Sequence, residues 1–260
     1  MTKEKIQTEL ATAWAGCDII YLPETDSTNR QARILAREGA RHGTLVIADT
    51  QNAGRGRRGR GWISPKGEGI FMSLIVRPDT HPSQVARLSL ATALAAANAI
   101  GRETGLNARI KWPNDIVVSC RKVCGMLLEM DATQDSVESI VAGVGINVHQ
   151  TQFDEEIAHT ASSLDLLAGR RISRAAVVRA FLEEFERAAA LDEDEMMAQY
   201  RRRSATIGQR VQVIALDGSY TGIAQDITQS GSLLVRADEN GQVREVLAAD
   251  VSVRGIMGYV

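Results

Sequence analysis

ARIKWPNDIVVSCRKVCGMLLEMDATQDSVESIVAGVGIN, residues 108–147, sets four short apolar runs one after another, at 108–111, 116–119, 122–130 and 137–147. They are rich in Val and Ile and parted by polar or turn-forming residues, so they read as strands. Their succession argues for an α+β layer, a mixed, largely antiparallel sheet with helices on one side. It argues against the strand–helix alternation of a doubly wound fold.

Upstream of this block, 3–15 reads as a short helix, 18–23 as a strand and 27–40 as a helix that Ser27 or Thr28 caps and that ends near Gly39. A strand at 44–51 and an apolar run at 70–76 follow. Val85, Leu88, Thr92, Ala95 and Ala99 recur at helical spacing after a start at Pro82, giving a long alanine-rich helix suited to lie on a sheet. Downstream, 173–203 is helical, with Val177, Phe181, Phe185, Ala188 and Leu191 near one face. The acidic run 192–195 is a solvated surface or a helix junction. After Ile207, short strands alternate with Asp217-Gly218, Ser230-Gly231 and Asn240-Gly241, the pattern of a small antiparallel β-barrel. The expected division is 1–205 and 206–260.

A second stretch points to chemistry. GRGRRGRGW, residues 54–62, gathers four arginines in a chain whose formal net charge is only −2. Its glycines let the backbone take positive φ and approach a ligand, and each guanidinium is a planar fork for phosphate or carboxylate oxygens. Gly54, Gly56 and Gly59 match G-x-G-x-x-G, but that fingerprint must open a helix. Gly61, Pro65, Gly67 and Gly69 forbid one. A mobile loop that closes over an anion is the better reading.

Composition narrows the classes further. Near-balanced charge over 260 residues excludes a general polyelectrolyte, so the arginine run marks a local site. The sequence has no apolar stretch of about 18 residues and no signal-peptide core, so neither a membrane partner nor secretion is expected, and the expected compartment is the cytoplasm. Cys17, Cys120 and Cys124 lack zinc spacing and read as free thiols, Cys124 as a small buried packing residue. His42, His81, His149 and His159 are scattered and read as structural or surface residues.

Five segments carry the chemistry: Asp26-Ser27-Thr28-Asn29, the loop from Gln51 to Trp62, Lys111-Trp112-Pro113-Asn114-Asp115, the run from Lys122 to Glu129 (K-x-x-G-x-L-x-E), and Gly143-Val144-Gly145-Ile146-Asn147. In this order and spacing, from about Ile20 onward, the chain resembles the biotin protein ligases. These activate biotin with ATP and attach it to a lysine of a carrier protein. The resemblance implies a fold related to the class II aminoacyl-tRNA synthetases, with biotin, ATP and Mg²⁺ as cofactors and substrates. The implied partner is the biotin carboxyl carrier protein of a carboxylase.

The residue types suit that reaction. Biotin's carboxylate is ionised at neutral pH, so its attack on an α-phosphate needs charge neutralisation rather than a general base, and Coulomb repulsion is severe in a sheltered site. Arg55, Arg57, Arg60, Lys111 and Lys122 are suitable cations. The mixed anhydride formed hydrolyses in water, which gives a closing loop a purpose.

The resemblance also implies roles. Ser27, Thr28, Asn29 and Gln51 would bind the ureido end of biotin. Arg55, Gly56 and Arg57 would lie near its carboxylate, and Gly125 and Leu127 would line the channel for its tail. Lys122 is the first choice for catalysis, with Arg57 and Asp115 beside it. Arg57, Arg60, Lys111, Asn114 and Asn147 would hold the nucleotide, Trp62 would cover the adenine, and Arg254 would reach back toward it. Asn114 and Asp115 sit at a turn where they orient either Mg²⁺ or the incoming lysine, or Asp115 merely caps the turn. No dedicated metal ligands are expected, since the ATP phosphates would hold Mg²⁺. Trp112 reads as core packing. Ser27 serves as a helix cap, a ligand contact or both.

Many members of that family carry an N-terminal winged-helix domain. Here about twenty residues precede the catalytic strand, so no operator DNA binding is expected. A homodimer joined edge to edge through the sheet is compatible with the resemblance. The rivals are a lipoate or octanoate ligase, whose relatives lack the arginine run, and an RNA-binding module gripping phosphates through that run.

Overall fold

The computed structural model describes residues 1–78, 85–133, 137–215, 218–248 and 252–255, with only the backbone of 215 and 252–254. Pro82, His81 and Asp217 therefore lie outside the described residues. A seven-stranded sheet runs in the order β1-β2-β3-β7-β6-β5-β4. Its strands are β1 (Ile19–Leu22), β2 (Leu45–Ala48), β3 (Gly69–Val76), β4 (Arg109–Lys111), β5 (Asp115–Val118), β6 (Arg121–Ala132) and β7 (Val137–Asn147). Only β1 and β2 pair in parallel, so the sheet is mixed and largely antiparallel. The four runs of 108–147 are β4 to β7, each paired antiparallel with the next.

The helices are α1 (Lys3–Gln7), α2 (Thr28–Arg37), α3 (Val85–Thr104), α4 (Leu164–Ala168), α5 (Arg174–Ala190) and α6 (Glu193–Arg203). Helices α3 and α5 lie on one face of the sheet, where Leu45, Ile47, Met72, Leu74, Ala142 and Val144 join them in the main core. The opposite face is not bare. Helix α2 covers part of it, its Ala32 and Ala36 meeting Val46, Ile75 and Val141 in a second cluster. This corrects the expectation of helices on one side only. Strand β2 is buried at every position, so no polar alternation in the sequence betrayed the second layer.

Two helix bounds also differ from expectation. Helix α1 stops at Gln7 because Glu9 takes a positive φ of 69°. The backbone N–H groups of Ala13, Trp14 and Ala15 then donate to the Glu186 carboxylate instead of to a helix. The long helical stretch 173–203 breaks at Leu191, and Asp192 N-caps α6 by accepting from Glu195 N at 2.8 Å. The acidic run is thus a helix junction, and its carboxylates face the positive end of the α6 dipole.

Beyond α6 lies a second sheet with the order β11-β10-β9-β8-β12, antiparallel throughout. Its strands are β8 (Arg210–Ala215), β9 (Gly218–Ile227), β10 (Leu233–Ala237), β11 (Val243–Val246) and β12 (Ser252–Gly255). Among the described residues its edges β11 and β12 are not paired to each other. Gly231 and Gly241 turn with φ of 78° and 72°, the left-handed geometry for which glycine suits such hairpins. Trp112 is 2% exposed, and its indole N–H donates to Gly231 O at 2.9 Å, which ties the second sheet to the β4–β5 hairpin.

Candidate active site

The uncovered half of the α2 face carries a cavity of about 1260 Å³. Its floor is the middle of the sheet, where Gly125 on β6 and Gly143 and Gly145 on β7 leave the backbone bare. A Cβ on Gly145 would lie 2.6 Å from Trp62 Cε2, and one on Gly125 2.7 Å from Trp62 Cζ3. Glycine at these positions therefore lets a flat ring rest directly on the strands.

One end of the cavity is built by the start of α2. Ser27, Thr28 and Asn29 are buried there, and the Ser27 N–H, which the helix terminus leaves without a helical partner, donates to Asp26 Oδ1 at 2.6 Å. Ser27 is the N-cap residue but makes no side-chain cap. Gln51 takes that place, its Oε1 accepting from Thr28 N at 2.8 Å and Thr28 Oγ1 at 3.1 Å while its Nε2 donates to Ser64 Oγ. The Asn29 amide is held on every side. Its Nδ2 donates to Leu127 O and Glu129 Oε2, its Oδ1 accepts from Ser73 Oγ at 2.6 Å, and Arg33 pairs with Glu129 behind it. Asn29 thus pins α2 to β3 and β6.

The arginine loop forms the roof. Gly56 N donates to Arg60 O and Trp62 N to Gly54 O, closing a narrow hairpin around a 3₁₀ turn at Arg57–Gly59. Arg57 donates to Asn114 Oδ1 at 3.2 Å and to the carbonyl of Ala248, just after β11. Burial, with Arg58 and Arg60 beside it and only partly offset by Asp115, holds its guanidinium below the usual arginine range. Surplus positive charge of this kind favours an arriving anion. Lys122 Nζ stands 2.7 Å from Asp115 Oδ1 and 5.1 Å from the centre of the Trp62 ring. It is the second residue of β6, beside the floor, where Lys122 N and O also pair with the segment at Thr160 and Ser162.

Every residue that the resemblance assigned lines this one cavity except Arg254, whose side chain lies outside the described residues. The backbone of Arg254 pairs with Gln212, and the neighbouring Gly255 does line the cavity. A further wall went unread in the sequence. Gln150, Gln152, Phe153 and Ile157 come from the connection after β7, which has no periodicity and no motif to mark it. Asn147 and His149 anchor that connection. Asn147 Nδ2 donates to Ser162 O, and His149 Nδ1 lies 2.8 Å from Asp165 Oδ2. Burial lowers the His149 pKa against the pull of Asp165, and a carboxylate can only accept, so the neutral ring carries its proton on Nδ1.

Among the described residues no three His, Cys, Asp or Glu side chains gather to hold a metal. Cys124 is fully buried under the floor and its thiol pKa is pushed up, chiefly by burial, whereas Cys17 and Cys120 are exposed. Iodoacetamide on the native protein is therefore expected to label Cys17 and Cys120, which lines the cavity rim near Lys122, and to spare Cys124. Labelling of Cys124 in peptide mass spectra without unfolding would contradict this packing.

Comparison with known proteins decides the family. Residues 21–147 match the profile of the Biotin/lipoate A/B protein ligase family, and residues 206–254 match the biotin protein ligase C-terminal domain. The chain is 35% identical, over 97% of its length and 79% of the relative's, to the bifunctional ligase/repressor BirA of Bacillus subtilis (strain 168). The chain belongs to the biotin protein ligase family. It is also 36% identical to the biotin--[acetyl-CoA-carboxylase] ligase of Mycobacterium tuberculosis, covering 92% of this chain and 90% of that one. The fold superimposes on a biotin protein ligase from Aquifex aeolicus in complex with biotin and ATP with a TM-score of 0.78, at 28% identity over 92% of this chain and 99% of that one. In this ligase no helix among the described residues is long and apolar enough to cross a membrane.

Proposed function

We propose that the cavity runs a two-step ligation. Biotin and MgATP give biotinyl-5′-AMP and pyrophosphate, and a lysine of a biotin carboxyl carrier protein then attacks the carbonyl and releases AMP. The observation that carries this reading is the convergence of Lys122, Arg57 and Lys111 on a glycine-floored cavity beside the N-terminus of α2. The start of α2 and Gln51 offer donors and an acceptor suited to a ureido group. From there the bare floor leads toward the cations, as a long acid would need.

In the first step Lys122 and the arginines neutralise the carboxylate and the α-phosphate as they meet. Mg²⁺ enters with the nucleotide, held mainly by its phosphates, since Asp115 is paired with Lys122. The hairpin of Arg55 to Trp62 covers the adenylate against water. In the second step Asp115 and Asn114, at the cavity end of the β4–β5 turn, orient the acceptor amine. Asp115 does this best once Lys122 has turned to the phosphate. We assign the chemistry to residues 1–205 and a supporting role to 206–260, whose Ala248 carbonyl steadies Arg57. Basic charge concentrated at the cavity, in a chain of formal net −2, supports a protein partner over a nucleic acid. A homodimer through the edge of the large sheet completes the proposal.

Arg57→Ala tests the roof. The half-life of the enzyme-held adenylate, measured by quenching after ATP is removed, is expected to shorten by roughly tenfold with loss of a charge-assisted contact. An adenylate held as long as in the wild type would exclude the covering role.

A further inference from the structure

The two stems of the arginine roof meet at a residue to which the ligase reading assigns nothing. Ser64 is 5% exposed and bridges to Gln51, its carbonyl accepting from Gln51 N at 3.4 Å and from Thr50 Oγ1 at 2.7 Å. Its hydroxyl lies 3.1 Å from Trp62 O in the roof and 2.9 Å from Gln51 Nε2. Glycine at 54 lets the roof close on this junction. A Cβ there would lie 2.4 Å from Trp62 O and 3.0 Å from both Ser64 Oγ and Gln51 Nε2. Gln51 and Thr28 line the cavity and Ser64 does not, so its hydroxyl reaches a ligand only through its neighbours.

The hydrogen-bond roles along this chain are forced. Trp62 O can only accept, so the single Ser64 hydroxyl proton goes to it. Toward Gln51, Ser64 Oγ is then left to accept, and the amide turns Nε2 to it and Oε1 toward α2. The other side demands the same orientation, because Thr28 N can only donate and meets Oε1 at 2.8 Å. Thr28 Oγ1 also donates to that Oε1, at 3.1 Å. The Thr28 proton is thus held inside the protein, and toward the cavity the hydroxyl is an acceptor, as a ureido N–H requires.

We infer that Ser64 is a positioning residue for the ureido end of biotin. Its hydroxyl holds the Gln51 amide in the one orientation that both caps α2 and makes Thr28 an acceptor. Without it, Nε2 loses the acceptor behind it and the amide is held from the α2 side alone. This inference rests on the ligase reading above.

The test is calorimetric titration of the wild type, Ser64→Ala, Gln51→Met and the double variant with biotin, and steady-state pyrophosphate release on the same preparations. Ser64→Ala is expected to weaken biotin binding by roughly fivefold to tenfold, the effect of one lost side-chain hydrogen bond. KM for biotin should rise with it, while kcat at saturating biotin stays near the wild-type value. In the Gln51→Met background the same substitution should cost nothing further, since its effect passes through the amide. Equal losses in both backgrounds would overturn the inference, because Ser64 would then act on the fold at large. A fall in kcat with biotin affinity intact would overturn it too, by placing the hydroxyl in the service of the roof. A wild type that binds no biotin would instead sink the ligase reading, and this inference with it.

Discussion

Lys122→Met is expected to lower biotin-dependent adenylation by about 10²–10³-fold, the usual cost of removing one preorganised charge donor from a transition state. The geometry concentrates the effect. Lys122 Nζ sits between the Asp115 carboxylate at 2.7 Å and the Trp62 ring. Its loss removes a cation and leaves Asp115, only 13% exposed, as an uncompensated negative charge where a carboxylate and a triphosphate must meet. Repulsion then rises just where the reaction needs it low. A merely structural ion pair predicts a different pattern, a lower Tm with kcat untouched. Single-turnover pyrophosphate release and thermal unfolding on the same preparation separate the two, and wild-type turnover in a destabilised Lys122→Met would remove lysine from the mechanism.

Gly143→Ala is expected to disable the biotin end of the site. A Cβ there would lie 2.0 Å from Asn29 Oδ1 and 2.7 Å from its Cγ. Asn29 cannot swing aside cheaply, because Leu127 O, Glu129 and Ser73 hold its amide. Either the start of α2 lifts, carrying Ser27 and Thr28 with it, or β7 moves. Overpacking of this kind costs about 1–3 kcal/mol of stability, and displacement of two ligand-facing residues should weaken biotin binding by roughly tenfold to a hundredfold. Calorimetric titration with biotin, alongside urea unfolding, checks both. Unchanged affinity would mean that Asn29 does not fix the geometry of that end.

Much of this was legible in the residues, for identifiable reasons. The strands β4 to β7 announce themselves because β-branched runs between polar turns cannot be read as a helix. The site residues are legible as a set because their segments keep one order, even though GRGRRGR or K-x-x-G-x-L-x-E alone would mean little. The position of α2 was hidden because β2 is buried on both faces. The end of α1 was hidden because a distant carboxylate, Glu186, replaces local helical bonds at 13–15. The wall at Gln150 was hidden because its order comes from Ser162, Ser163 and Asp165, partners that no local pattern announces.

The central claim is that this cavity joins biotin to AMP, and the most direct measurement is pyrophosphate release from MgATP by the purified protein with biotin, with lipoate and with no acid. Release that requires biotin and is not supported by lipoate is the predicted result. Release with lipoate alone would move the same chemistry to another acid, and silence with both would contradict the account.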